Sequence, residues 1–289
     1  MQRMEGSLAD VLVSTVPFAS HDRLPLELLE SVGAHVTVNP IGRRLQEEEL
    51  TELIPATEIL IAGTEPITRK VLEAAPRLQL IARVGIGLDN VDLLAARERG
   101  IQVTYTPEAP APAVAELTVG LMISLLRHTH TANALLHDQQ WNRFMGRRIG
   151  ESTIGVIGVG RIGSRVIRLL NSFGVQRFIA HDVEPQVESL QGIRVEWVDQ
   201  DEVFRESDIV SLHVPLTPDT RDMVSRAELD MMKADGVLIN TSRGGVVDEE
   251  ALLRTLQDGR LGGAAIDVFA HEPYAGPLAQ EPRCLLTSH

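Results

Sequence analysis

Short runs of Val, Ile and Leu alternate along the chain with longer stretches in which apolar residues recur every three or four positions. The first pattern predicts buried strands and the second amphipathic helices; their alternation predicts parallel sheets wound with crossover helices. In the first third, strands are expected at 10–14, 35–38, 58–62, 79–83 and 102–105, with helices at 24–31, 47–53, 68–74 and 91–99. Gly100 is expected to end the last of these helices. The run from Thr106 to Pro112 holds three prolines, which suit neither a helix interior nor a central strand, and it marks a hinge. It predicts a first domain over 1–106 and a second over 107–289. A long helix over 113–128 is expected next, with Val114, Leu117, Leu121 and Leu125 on its apolar face. After Gly150 the strand–helix pattern restarts, with strands expected at 154–158, 177–181, 194–197, 209–214, 237–241, 264–268 and 284–287.

Composition narrows the class. A length of 289 residues suits two medium α/β domains, and no solenoid-period repeat or low-complexity tract interrupts them. The formal net charge of -13, with only 27 Lys plus Arg, leaves no broad basic surface for a phosphate backbone, so nucleic acid is not an expected partner. The single cysteine, Cys284, excludes an internal disulfide and a thiolate-rich metal site. It lies in an apolar run, where an inert buried thiol is expected. The first residues, Met1 to Leu8, show no apolar h-region, and no run of about 18 apolar residues occurs anywhere. A cytoplasmic protein without a membrane partner is expected.

Gly158-Val159-Gly160-Arg161-Ile162-Gly163 spells GxGxxG between an expected strand and an expected helix at 164–173. In that setting Gly158 permits a tight turn, Gly160 lets a pyrophosphate approach the backbone, and Gly163 lets helix pack on strand. Asp182 lies 19 positions beyond Gly163, at the end of the next expected strand. A carboxylate there meets the adenosine ribose and repels a 2′-phosphate, which favours NAD over NADP. The expected fold class is α/β with two doubly wound parallel-sheet domains, a flavodoxin-like substrate domain and a Rossmann NAD-binding domain.

Three further segments fall at expected strand ends of the second domain: Asn240 to Gly245, Asp267 to Pro273, and Thr287-Ser288-His289. Together they offer a cation, an acid and an imidazole. An arginine fork such as Arg243 can fix a carboxylate through two charge-assisted hydrogen bonds. A histidine such as His289 can exchange a hydroxyl proton near neutral pH, and a glutamate such as Glu272 can orient it. His213 and His271 read as supporting or structural. His128 and His130, two apart on a helix, would diverge, so no metal site is expected.

Taken with Arg83 to Asp92, Ala115 to Thr118, His213 to Thr220 and Asn240 to Asp248, these segments resemble the D-isomer-specific 2-hydroxyacid dehydrogenase family over nearly the whole chain. In general appearance the chain is most similar to the D-3-phosphoglycerate dehydrogenase branch, which works in serine biosynthesis. The resemblance implies an NAD-dependent enzyme for a small D-2-hydroxy acid, with 3-phosphoglycerate a candidate, working as a homodimer whose two domains close about the hinge. It implies that Arg243 binds and polarises substrate, that His289 is the acid/base with Glu272 its partner, and that the backbone at Ile86 and Gly87 holds the substrate carboxylate. It further implies that Val214, Pro215, Thr220, Thr241, Ser242 and Asp267 line the cofactor groove with Gly158, Gly160, Arg161, Ile162, Gly163 and Asp182.

Two departures are expected to matter. Relatives continue past the histidine into a glycine-containing loop and a returning helix, so the motifs also fit a truncated, inactive dehydrogenase. Phosphoglycerate enzymes often carry an arginine after the third strand of the first domain, where this chain has Gly63-Thr64-Glu65-Pro66. Glu65 is expected to repel a phosphate there, with Arg83, Arg69 or an arginine of a partner subunit compensating. An NAD-sensing, corepressor-like binding protein would carry the same cofactor motifs, and so would an enzyme that oxidises formate or phosphite.

Overall fold

The structure is a computed structural model describing residues 9–16, 18–185 and 187–289; the N-terminal stretch Met1–Leu8 lies outside the described residues. The chain divides into two compact units, Met1–Pro110 and Ala111–His289, a division inside the expected hinge Thr106–Pro112 and four residues beyond the expected boundary at 106.

In the first unit, β1 (Asp10–Val13), β2 (His35–Val38), β3 (Ile59–Ala62), β4 (Leu80–Arg83) and β5 (Gln102–Tyr105) form a parallel sheet in the order β2-β1-β3-β4-β5. The connecting helices are α1 (Leu24–Ser31), α2 (Glu47–Leu53), α3 (Arg69–Glu73) and α4 (Leu93–Glu98). Two polar residues serve as caps: the Thr68 and Asp92 side chains accept from Val71 and Ala95 N–H, satisfying amides a helix start leaves open. One sheet face carries a deep core of Leu12, Leu60 and Ile81 under Leu50, Val71 and Ala95, whereas α1 buries no residue outright over the other face.

In the second unit, β6 (Thr153–Ile157), β7 (Arg177–His181), β8 (Val195–Trp197), β9 (Ile209–Leu212), β10 (Val237–Asn240), β11 (Gly263–Ile266) and β12 (Cys284–Leu286) pair in the order β12-β11-β10-β9-β6-β7-β8. Every pairing is parallel. The order reverses at β6, which pairs with β7 on one side and β9 on the other, and such a switch point opens a crevice at the carboxyl ends of the strands. The register aligns those ends. Leu286, Ile266, Asn240, Leu212, Ile157 and His181 are successive cross-strand partners, so the residues that follow each of them share one edge.

Helices α5 (Ala111–Leu126), α6 (Thr129–His137), α7 (Gly163–Ser172), α8 (Gln200–Glu206), α9 (Arg226–Met231) and α10 (Glu249–Gln257) complete this unit. Three expectations are corrected here. First, α5 spans 111–126 rather than 113–128, and Pro112 sits in its first turn, where a missing N–H costs nothing. Second, its core-facing stripe is Ala111, Ala115, Thr118, Met122 and Leu126 with Val119, Leu121 and Leu125; Leu117 is exposed and Val114 only half-buried. Third, His128 and His130 do not share a helix, because His128 takes a left-handed conformation (φ 53°) ahead of α6. Among the described residues no helix is long and apolar enough to cross a membrane.

Candidate active site

The glycine turn follows β6 at the switch point. Gly158 has φ +88°, a left-handed conformation that other residues rarely hold, and a side chain there would strike the His213 carbonyl at 2.6 Å. Gly163 lies against the Gly158 carbonyl with no room for a β-carbon, whereas Gly160 faces open space. Gly160 and Ile162 donate no backbone hydrogen bond among the described residues, and α7 begins immediately afterwards. These features fit a dinucleotide pyrophosphate: a bare backbone step, unengaged N–H groups and a helix start that favours anions.

Asp182 directly follows β7. Its Oδ2 accepts from Val159 N–H at 2.6 Å and its Oδ1 from Glu184 N–H at 2.9 Å. The carboxylate therefore ties the glycine turn to the neighbouring strand end, leaving lone pairs for a ribose diol. After β9, His213 is followed by Val214 and Pro215. The Thr220 hydroxyl donates to the Pro215 carbonyl at 2.6 Å, closing the turn internally. Nε2 of His213 meets Ser211 Oγ at 2.9 Å, while Nδ1 is sealed from solvent without a partner. Burial pushes this imidazole down to about 3, so it is neutral at physiological pH.

The loop after β10 is built around Asn240. Its Oδ1 accepts from Ser242 N–H and Oγ, and its Nδ2 donates to the Arg243 carbonyl. Thr241 is buried and shares a 2.8 Å hydrogen bond with Thr118 of α5. Thus the hydroxyls of Thr241 and Ser242 are engaged within the protein, and they shape the backbone that presents Arg243, whose Nη1 donates to the Ser242 carbonyl at 2.7 Å.

After β11, Asp267 is buried and accepts from Thr287 Oγ1 at 2.5 Å; His289 N–H donates to the Asp267 carbonyl at 3.0 Å. Glu272 completes the constellation: its Oε1 accepts from Phe269 N–H at 3.0 Å, and His289 Nδ1 lies 3.1 Å and 2.9 Å from its two oxygens. A carboxylate only accepts, so it fixes the proton on Nδ1 and leaves Nε2 with a lone pair able to take one. Glu249, in the first turn of α10, accepts from Ala270 N–H at 2.8 Å and holds the same loop from beneath. The roles of Asn240 and Glu249 as anchors escape a reading of the sequence. The run Asp248-Glu249-Glu250 marks a helix start, but nothing in it marks a residue that holds a distant loop. His271 is exposed and joins none of these contacts. Cys284 is buried, which with nearby acids pushes its thiol up to about 12 and keeps it protonated.

In the first unit, the segment after β4 carries Ile86 and Gly87, whose N–H groups donate no hydrogen bond among the described residues. Gly85 N–H is held by Thr106 Oγ1 at 2.8 Å. Glu65 does not behave as expected. It is 1 % exposed and turned inward, accepting from the Ser14 hydroxyl and from Gly63 N–H at 2.9 Å, so it presents no charge to a ligand. The compensating arginines are engaged as well: Arg69 pairs with Glu98 at 2.7 Å, and Arg83 is buried with its guanidinium on the Val84 carbonyl and Asn90.

A doubly wound nucleotide-binding unit with a glycine turn, a ribose-side aspartate and an acid–imidazole pair on one sheet edge defines a dinucleotide-dependent α/β protein. The family profile of the D-isomer specific 2-hydroxyacid dehydrogenase, NAD binding domain, matches residues 119–289, and the chain belongs to that family, with NAD as its cofactor. It is 41% identical to hydroxypyruvate reductase from Thermotoga maritima over 80% of this chain and 76% of that protein. It is 40% identical to D-3-phosphoglycerate dehydrogenase from Methanocaldococcus jannaschii over 86% of this chain, spanning only 47% of that longer protein. Among solved structures it matches the TT0316 protein from Thermus thermophilus with a TM-score of 0.87, at 35% identity and covering 97% of this chain and 89% of that one. D-lactate dehydrogenase from Aquifex aeolicus, solved with NAD and lactic acid, gives 0.82 at 28% identity, covering 96% of this chain and 87% of that one.

Proposed function

We propose that the chain interconverts a small D-2-hydroxy acid and its 2-oxo acid with NAD. The observation that carries this reading is Glu272, whose carboxylate is fixed by Phe269 N–H and fixes His289 in turn, on the same sheet edge as the glycine turn. NAD, when bound, accepts the hydride from C2 of the hydroxy acid or returns it to the oxo acid. The protein does the rest. Arg243 binds the substrate carboxylate and carbonyl oxygen by charge-assisted hydrogen bonds. In oxidation His289 Nε2 takes the hydroxyl proton; in reduction it gives that proton to the forming alkoxide. Glu272 stabilises the imidazolium between those events. In the first unit, the unengaged N–H groups of Ile86 and Gly87 suit a carboxylate.

The finer reading is a 2-oxo acid of the hydroxypyruvate or 3-phosphohydroxypyruvate kind, handled in the cytoplasm by a homodimer. Leu136, Trp141 and Met145, on the stretch after α5, are exposed at 53%, 77% and 93%, apolar side chains that suit a second copy.

The deciding assay follows NADH oxidation by the purified chain with hydroxypyruvate, 3-phosphohydroxypyruvate and glyoxylate. Turnover is expected, and Arg243→Ala and His289→Ala are each expected to lower kcat by about 100-fold or more. Tight NAD binding with no turnover on any of the three overturns the dehydrogenase reading in favour of a dinucleotide sensor.

A further inference from the structure

We infer that Arg44 reads the far end of the substrate and selects 2-oxo acids carrying a second anionic group, a phosphate ester or a carboxylate. The inference rests on the dehydrogenase reading above and extends it to a residue no sequence motif picked out.

Arg44 lies on the loop after β2, and its Nη2 donates to the Thr64 carbonyl, just beyond β3, at 2.7 Å. The loop is built rather than slack. Asn39 Nδ2 donates to the Ser14 and Arg43 carbonyls at 2.9 Å each, and Asn39 Oδ1 accepts from Ile41 N–H. Gly42, at φ +76°, supplies the left-handed turn, and Leu45, fully buried, anchors the chain directly after Arg44. The neighbouring Arg43 has its charge met by both oxygens of Glu49. Arg44 has no carboxylate partner among the described residues, and the Thr64 carbonyl takes up only one of its donors.

Placement makes that charge useful. β3 and β4 are adjacent strands in register, Ala62 opposite Arg83, so the Thr64 loop and the Val84–Gly87 segment leave the sheet about 5 Å apart. Asn90 stitches the two together, its Nδ2 donating to the Gly63 and Glu65 carbonyls at 3.1 Å and 2.7 Å. A 2-oxo acid whose carboxylate rests on Ile86 and Gly87 N–H reaches across one strand spacing with its third carbon and a substituent. A guanidinium fork over Thr64 matches a phosphate or carboxylate there in two hydrogen bonds. Glu65, next to Thr64, is turned into the core and does not oppose it.

The test compares kcat/KM for 3-phosphohydroxypyruvate, oxaloacetate and hydroxypyruvate, together with calorimetric binding of 3-phosphoglycerate to the NAD-loaded chain. Arg44→Ala is expected to lower the preference for a doubly anionic substrate over hydroxypyruvate by about 10- to 100-fold, with Arg44→Lys between. Arg43→Ala, which removes the same charge from the surface, should keep the wild-type preference. Which doubly anionic substrate loses more identifies phosphate or carboxylate as the group read. Equal losses on all three substrates in Arg44→Ala, or the same change in Arg43→Ala, overturn the assignment. A wild type that turns over only hydroxypyruvate and binds no 3-phosphoglycerate also overturns it, while leaving the dehydrogenase reading standing. Conversely, 3-phosphoglycerate binding that depends on Arg44 without turnover supports the assignment and sinks the catalytic reading alone.

Discussion

At the scale of single residues, two buried polar groups reverse what their types suggest. His213 sits beside the cofactor turn, yet its sealed, unpartnered Nδ1 makes it a poor proton carrier. Its value of about 3 in the folded protein lies below the ordinary 6.5, so in acid the unfolded chain binds a proton that the native one refuses. Stability is therefore lost as pH falls from about 6.5 toward 3, at up to about 1.4 kcal/mol per pH unit for this one group. Urea unfolding of His213→Asn should show a shallower acid slope than wild type over that window; identical slopes would count against it. Glu65 was legible as an acid after a strand but not as a buried one. Its direction is set by Gly63 N–H and by Ser14, which lies 51 residues away just past a different strand. Glu65→Lys, which from sequence looks like a gain for phosphate, should instead destabilise the protein by about 3 kcal/mol in chemical denaturation, because it strands a cation in a site built for an acceptor.

At the scale of elements, strand positions were legible to within two residues, because a buried parallel strand is simply a short apolar run. The face of α5 was legible only in part, Leu121 and Leu125 being buried as expected. Leu117 and Val114 weigh heavily in a hydrophobic pattern, but the close-packed side of α5 is made of Ala111, Ala115 and Thr118, whose small side chains let the helix approach the sheet and let Thr118 meet Thr241. That Arg243, Glu272 and His289 each follow a strand was legible from the strand pattern; the anchors that hold their loops were not. Glu249 tests that distinction. Glu249→Ala should free Ala270 N–H, loosen Glu272 and lower kcat by about tenfold. Glu272→Gln, which removes the carboxylate that orients His289, should lower kcat further. Glu249→Gln, which keeps an acceptor, should restore kcat. An equal fall in kcat in Glu249→Gln would sink this anchoring role.

At the scale of the whole molecule, each unit carries its own buried core, one around Leu12, Leu60 and Ile81 and the other around Ile154, Val156 and Ile239. The glycine turn and Asp182 belong entirely to the second unit. Calorimetry should accordingly resolve two unfolding transitions, of which NAD at about 100 times its Kd raises one by about 5–10 °C. One cooperative transition, or equal shifts in two, would show that the units do not melt separately.

Gly244 has a consequence for how such a site can change over time. A β-carbon at that position would lie within the Phe269 carbonyl, so the arginine-bearing loop and the acid-bearing loop touch backbone to backbone. Neither can drift by a residue without displacing the other. In this chain the cation of Arg243 and the carboxylate of Glu272 are therefore tied into one piece, and anyone transplanting them to a new scaffold would have to carry both loops together.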